Sequence, residues 1–179
     1  KLMNKKAIIL TGDLAQDHEF IYPFYRLLEE RIDVDVCTPE GKPVVGILGT
    51  RLPPNKNHPV KSISEISVDE YDLLVLPGGV KAMEKLRLEK KFINFVKKYC
   101  QKDKLVACIC SGIQMMISAN TIENRTVSGY YSLQIDIENA RATYKDLEVV
   151  EDKNYVTTAH YKDMGPWMAT VVRKLRDET

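Results

Sequence analysis

Residues 104–119 read KLVACICSGIQMMISA: an apolar run, then Cys-Ser-Gly, then a second apolar run. The first run, rich in valine and isoleucine and bounded by a small-residue turn, suits a strand buried on both faces. The second, GIQMMISA, suits a short helix packed behind that strand. A strand that feeds directly into a helix is the repeating unit of α/β proteins, so the rest of the chain is read for the same unit.

The unit recurs on both sides. Residues 7–11, AIILT, form a buried strand ending at Gly12-Asp13, and residues 17–30 carry Phe20, Ile21, Phe24, Leu27 and Leu28 at helical spacing, with Pro23 near the first turn. Residues 34–38, VDVCT, make a second strand. The Gly/Pro-punctuated PEGKPVVGILGTRLPPNKNHPV that follows reads as a small hairpin or extended arm. LLVLPGG, residues 73–79, is a third buried strand that stops at Pro-Gly-Gly, and residues 90–102 are helical, with Phe92, Ile93, Val96 and Tyr99 on one face. Further on, residues 132–140 read as a helix, and LEVVEDKNYVTTA as two strands joined by Asp152-Lys153-Asn154. Residues 164–176 close the chain as an amphipathic helix with Pro166 in its first turn. Alternating strands and helices mean a mainly parallel sheet covered on both faces. Sites in such sheets lie beyond the carboxyl ends of the strands. Four loops qualify: residues 12–19, 77–83, 109–112 and 158–163.

At 179 residues the chain is most simply one domain, 1–179, with room for one sizeable core. Its 44% apolar and 28% charged content is that of a globular protein, and a formal net charge of +1 with dispersed lysines leaves no nucleic-acid footprint. No apolar run reaches the ~18 residues of a membrane span. The charged start KLMNKKAIILTGD has too short an apolar run for a secretory leader, so a cytoplasmic protein is expected. Four cysteines (Cys37, Cys100, Cys108, Cys110) show no disulfide framework and no second ligand pair at zinc spacing, so no metal is expected. Cofactor binding is not implied either, since neither a Walker A loop nor a G-x-G-x-x-G after a strand occurs.

Two readings of Cys110 stand side by side. As a nucleophile on a sharp strand-to-helix turn, it needs small neighbours, which Cys108 and Gly112 supply, and the following helix N-terminus favours its thiolate. As packing, it is the end of a buried strand. Pro-Gly-Gly at the end of the preceding strand favours the nucleophile, because the backbone N–H groups of Gly79 and Ser111 can together line an oxyanion site.

FIYPFYRLLEE, YDLLVLPGG, EKLRLEKKFINFVKKY, VACICSGIQMMISA and LEVVEDKNYVTTA occur in this order at compatible spacing. The ordered set resembles the ThiJ/PfpI family of the class I glutamine-amidotransferase-like superfamily, most closely its PfpI-type branch. The resemblance implies a flavodoxin-like three-layer α/β sandwich with a mainly parallel central sheet and a cysteine on the nucleophile elbow. It also implies a homo-oligomer, dimer or hexamer, in which the glutamate matching Glu84 reaches a neighbouring subunit's cysteine site. Family members include cysteine peptidases, deglycases or glyoxalases acting on reactive aldehydes, isocyanide hydratases and oxidative-stress proteins.

Two departures from the family pattern bear on chemistry. The residue after the cysteine, usually histidine, is Ser111, which cannot take a proton as imidazole does. The family's glutamate after the first strand, whose protonated carboxyl donates to the thiolate, is matched through Tyr-Pro by Gln16, a donor without a transferable proton. Asp13, Asp17 and Glu19 are nearby acids, with Glu19 read as a helix-start carboxylate. His18 and His160 sit in strand-end loops and read either as a base near the elbow, His160 for preference, or as exposed loop imidazoles. His58 reads as a surface residue. Two functions remain. One is a cysteine-dependent hydrolase or lyase acting on a small carbonyl or related electrophile, with Cys110, Ser111, Gly79, Gln16 and His160 at the site. The other is a non-catalytic or redox-sensing stress protein of the same fold. Proteolysis is the label such a chain would inherit, but the usual proton donor to an amine leaving group is missing.

Overall fold

Ala7–Leu10, Leu73–Leu76 and Leu105–Ile109 are all but completely buried, as a parallel sheet covered on both faces requires. The computed structural model describes residues 2 and 4–177. In chain order, β1 (Lys6–Leu10), α1 (Asp17–Glu29) and β2 (Asp33–Cys37) are followed by a ribbon, β3 (Val44–Val45) with β4 (Arg51–Leu52), and by the short β5 (Val60–Lys61). Then come β6 (Leu73–Leu76), α2 (Val80–Leu86), α3 (Lys90–Cys100), β7 (Leu105–Ile109) and α4 (Ile113–Ser118). A second ribbon, β8 (Thr126–Val127) with β9 (Thr143–Tyr144), brackets α5 (Gln134–Asn139). The hairpin β10 (Val150–Asp152) and β11 (Tyr155–Thr158) and helix α6 (Met164–Asp177) complete the chain.

The central sheet has the order β10-β11-β7-β6-β1-β2-β5, parallel throughout except for the β10–β11 pair. Helix α1 packs with α6 on one face, and α4 packs with α2 and α3 on the other. The fold is thus the flavodoxin-like three-layer α/β sandwich. Among the described residues no helix is long and apolar enough to cross a membrane. Trp167, fully buried, donates from Nε1 to Val156 O at 3.0 Å and ties α6 to β11.

The register of the three central strands places the site. Leu76 pairs with Cys108, and Thr158 pairs with Ile109. Pro77-Gly78-Gly79, Cys110 and His160 therefore emerge beyond the carboxyl ends of three neighbouring strands. The turn after β7 packs backbone against backbone: a Cβ on Gly112 would run into the carbonyl oxygen of Leu76 and lie 3.1 Å from Pro77 O.

Three features differ from the sequence reading. Helix α2 occupies most of the loop expected over residues 77–83; its seven residues are too few for apolar periodicity to show. The short β5 and the β8–β9 ribbon, with two residues per strand, carry no period-2 signal. His58 is a half-buried strut rather than a surface residue: its Nε2–H donates to Val34 O at 2.7 Å and its ring meets Phe24 edge-on at 4.8 Å. The excursion after β2 does form a small hairpin, and Asp17 anchors it. The buried Asp17 carboxylate accepts the N–H groups of Leu48 (2.8 Å) and Thr50 (2.9 Å). Burial pushes its pKa up, but these bonds outweigh that and hold it below the usual carboxylate value.

Gly112→Ala forces a methyl group onto backbone that cannot yield. It should lower unfolding stability by about 1–3 kcal/mol, measured by urea denaturation.

Candidate active site

Helix α1 carries a carboxylic acid on its buried stripe. Glu19, Pro23 and Leu27 recur every four residues and all three are buried, together with Phe20 and Phe24. The side chain of Glu19 is therefore directed with the apolar face toward the protein interior, where it is fully buried. Gly78 N–H donates to Glu19 Oε1 at 2.9 Å. The other oxygen, Oε2, is buried without a hydrogen-bond partner among the described residues, and the Cys110 thiol is the remaining polar group acting on this carboxyl. Burial raises the Glu19 pKa to about 7, against the opposing pull of Cys110 and of the Gly78 N–H.

Cys110 follows an extended Ile109 and has φ +58°, a left-handed conformation that costs a non-glycine residue about 1–3 kcal/mol. The strain lifts its thiol out of the strand: Cys108 is buried, while Cys110 is half-buried and lines a cleft of about 410 Å³. Tyr130 N–H holds the turn by donating to Cys110 O at 3.1 Å. Burial pushes the Cys110 thiol up to about 12, and the Glu19 charge pushes the same way. The hydroxyl of Ser111, 3.8 Å from the sulfur, and the Ser111 backbone N–H act in the opposite direction. The outcome reverses the expectation of a thiolate favoured by the next helix. That helix is only six residues long, and burial beside an acid outweighs its terminus. With both groups pushed up, the pair holds at least one proton near neutral pH, and a partly ionised Glu19 stands ready to take the one on sulfur.

Two glycines permit this closeness. A Cβ on Gly78 would lie 2.5 Å from Glu19 Oε1 and 2.9 Å from Ser111 N. Gly79 has φ +106°, and a Cβ there would lie 2.5 Å from Gln16 N.

Cys110, Ser111, Gly79, Gln16 and His160 all line the cleft. Gln16, however, does not occupy the place of the missing acid. It caps α1, its Oε1 accepting Glu19 N–H at 3.1 Å, while its own N–H donates to Gly78 O at 3.2 Å. Glu19 faces the thiol instead, one helical turn further on. Asp13 accepts Val45 N–H at 3.3 Å and Asp17 is committed to the arm. His18 is exposed, 5.5 Å ring to ring from Tyr161, and Glu84 is exposed on α2, outside the cleft of its own chain.

Sequence reasoning missed Ile47, Tyr130 and Tyr161, which line the cleft from the arm and loops without periodic signal, and Val80 and Gln114, which sit on helices of seven and six residues, too short to show one. Glu19 was findable, as a carboxylate on an otherwise apolar helical stripe. Among the described residues no group of three or more His, Cys, Asp or Glu is arranged to hold a metal.

Comparison with known proteins agrees with this geometry. The profile of the DJ-1/PfpI family matches residues 5–174. A deglycase of Thermococcus kodakarensis is 36% identical over 171 residues, covering 96% of this chain and 99% of the relative. The protein/nucleic acid deglycase 2 of Escherichia coli is 34% identical over 167 residues, covering 92% and 93%. In fold, the crystal structure of Drosophila melanogaster DJ-1beta superposes with a TM-score of 0.86 at 21% identity, covering 96% of this chain and 90% of that one. A strained cysteine elbow, a buried acid beside it and an end-to-end match converge on one assignment: the chain belongs to the DJ-1/PfpI family.

Proposed function

We propose that the chain is a cysteine-dependent hydrolase of the deglycase type, in which Cys110 adds to a small carbonyl group and Glu19 carries the proton. The observation that supports this reading best is the pairing of a buried carboxyl, raised to about 7, with a thiol on a left-handed turn in an open cleft. An acid or base is most effective when its pKa lies near the working pH.

In the addition step, the thiol proton passes to the Glu19 carboxylate as Sγ forms a bond to the carbonyl carbon. The carbonyl π pair moves onto oxygen, facing the backbone N–H groups of Gly79 and Ser111. Glu19 then returns the proton to that oxygen, closing a hemithioacetal. In a 1,2-dicarbonyl compound the hydrogen on this carbon moves to the neighbouring carbonyl carbon and the hydroxyl proton to its oxygen, which leaves a thioester. Water attacks the thioester carbon, breaking the C–S bond as a proton returns to sulfur. Proteolysis fits less well, because Ser111 stands where an imidazole would serve a poor amine leaving group. A redox sensor fits less well too: a thiol pushed upward by burial is mostly protonated, and oxidation proceeds through the thiolate. Cytoplasmic residence and assembly into a dimer or hexamer belong to the same proposal. Exposed Leu88 and Ile135, 76% and 62% accessible, support an interface.

Cys110→Ala should abolish covalent addition of methylglyoxal, used as a carbonyl probe and followed by intact-protein mass spectrometry. Wild-type rates should climb as pH rises through about 7, where Glu19 becomes a base. Glu19→Gln should be slower by roughly 100-fold and flat across that range. A wild-type rate independent of pH between 5 and 8 would sink the role given to Glu19.

Stability should move the opposite way. Glu19 holds its proton more tightly in the folded chain than in the unfolded one, so the folded state binds more protons between about pH 4.5 and 7. Wild-type stability should therefore fall across that window by up to roughly 3 kcal/mol relative to Glu19→Gln, measured by urea denaturation at each pH.

A further inference from the structure

Among the described residues one imidazole lines the cleft, that of His160, and its surroundings decide which ring nitrogen carries the proton. Nδ1 accepts the backbone N–H of Lys162 at 3.0 Å, a bond that caps the short turn Tyr161–Asp163. A neutral imidazole that accepts at Nδ1 carries its hydrogen on Nε2. Nε2 has no hydrogen-bond partner among the described residues, so its N–H remains available to the cleft that the ring lines.

The ring is steadied from the sides. Its centroid lies 4.2 Å from that of Tyr161 and 6.3 Å from that of Tyr131, within 22° of parallel to the latter. For Nε2 to accept a proton, the neutral ring would need the opposite tautomer, setting Nδ1–H against Lys162 N–H, donor against donor. Among the described residues no lysine or arginine lines the cleft, so an oxygen bound there meets fixed dipoles rather than a cation.

We infer that His160 is a hydrogen-bond donor to the substrate and not the base of the reaction: Nε2–H is presented to an uncharged oxygen of a carbonyl compound, and the proton stays on the ring. What occupies the cleft rests on the reading of Cys110 as nucleophile; the tautomer does not depend on it.

The first test is therefore independent of activity. Ring 15N correlation spectra of the labelled full chain, with His160→Phe to assign the signal, should show the Nε2–H tautomer. A ring protonated on Nδ1 overturns the inference.

The second test compares rates of Cys110 modification by methylglyoxal. His160→Gln keeps an N–H donor at similar reach, and should react within about threefold of wild type. His160→Asn keeps an acceptor for Lys162 N–H but draws the donor back. It should react about tenfold slower while unfolding at the wild-type temperature. Equal losses in both variants would mean a base, and a loss confined to His160→Gln would mean a cap; either overturns the inference. Wild-type protein that forms no Cys110 adduct would count against the nucleophile reading, and the tautomer would then decide the question of His160.

Discussion

The carboxyl of Glu19 lies buried in the first turn of α1, with one oxygen bonded to Gly78 N–H, the other without a hydrogen-bond partner among the described residues, and the Cys110 thiol beside it as the remaining polar group. An isolated charge there would be costly, so the group stays close to its own neutralisation point, and the nearest group able to exchange a proton with it is the thiol. Burial raises both pKa values; the Glu19 charge raises that of Cys110 further, while the thiol pulls that of Glu19 back down. The elbow strain, the paired glycines and the cap at Gln16 all serve to hold these two side chains together.

Strain and close approach are two sides of that arrangement. The left-handed Cys110 puts the sulfur into the cleft instead of into the sheet. Such a turn survives only where its surroundings over-determine it. Gly112 lets the turn pack on the end of β6, Tyr130 N–H fixes its carbonyl, and Gly78 lets the backbone pass between the acid and the elbow amide. A Cβ at Gly112 would run into Leu76 O and one at Gly78 would lie 2.5 Å from Glu19 Oε1, so neither position takes a side chain without shifting the turn or the carboxyl.

The cleft walls come from elsewhere. Asp17, two residues before Glu19, holds the hairpin arm through Leu48 and Thr50 N–H and so carries Ile47 to the cleft. One turn of α1 thus supplies both the buried carboxyl beside the thiol and the anchor of a wall. Opposite in character is the aromatic group of His18, Tyr161, His160, Tyr131 and Tyr130, linked ring to ring. Of these rings, Tyr130, His160 and Tyr161 line the cleft itself and give it flat surface, which suits the uncharged carbonyl compound proposed as its occupant.

Much of this was legible in the chain. Apolar runs at residues 7–11, 73–76 and 105–109 are long enough, and bounded sharply enough, to declare buried parallel strands, and Cys110 at the end of the last must then emerge at the sheet's carboxyl edge. The family pattern adds that the cysteine has an acid for a neighbour. Which residue fills that place was legible only in part: Glu19 lies on the apolar stripe of α1, but the match through Tyr-Pro points to Gln16, one helical turn away, and packing of α1 decides which of the two turns inward and which caps the helix. The protonation preference was not legible either. A helix start beside a cysteine suggests a thiolate, but burial and a carboxyl contributed from far along the chain reverse it, and burial is a property of the assembled layers. The sequence by itself determined the long central strands and the position of Cys110 at the end of one of them, since these follow from local apolar pattern and turn chemistry. Tertiary structure alone decided that Glu19 meets the Cys110 thiol and that Lys162 N–H meets His160 Nδ1, since both contacts exist only once the loops meet.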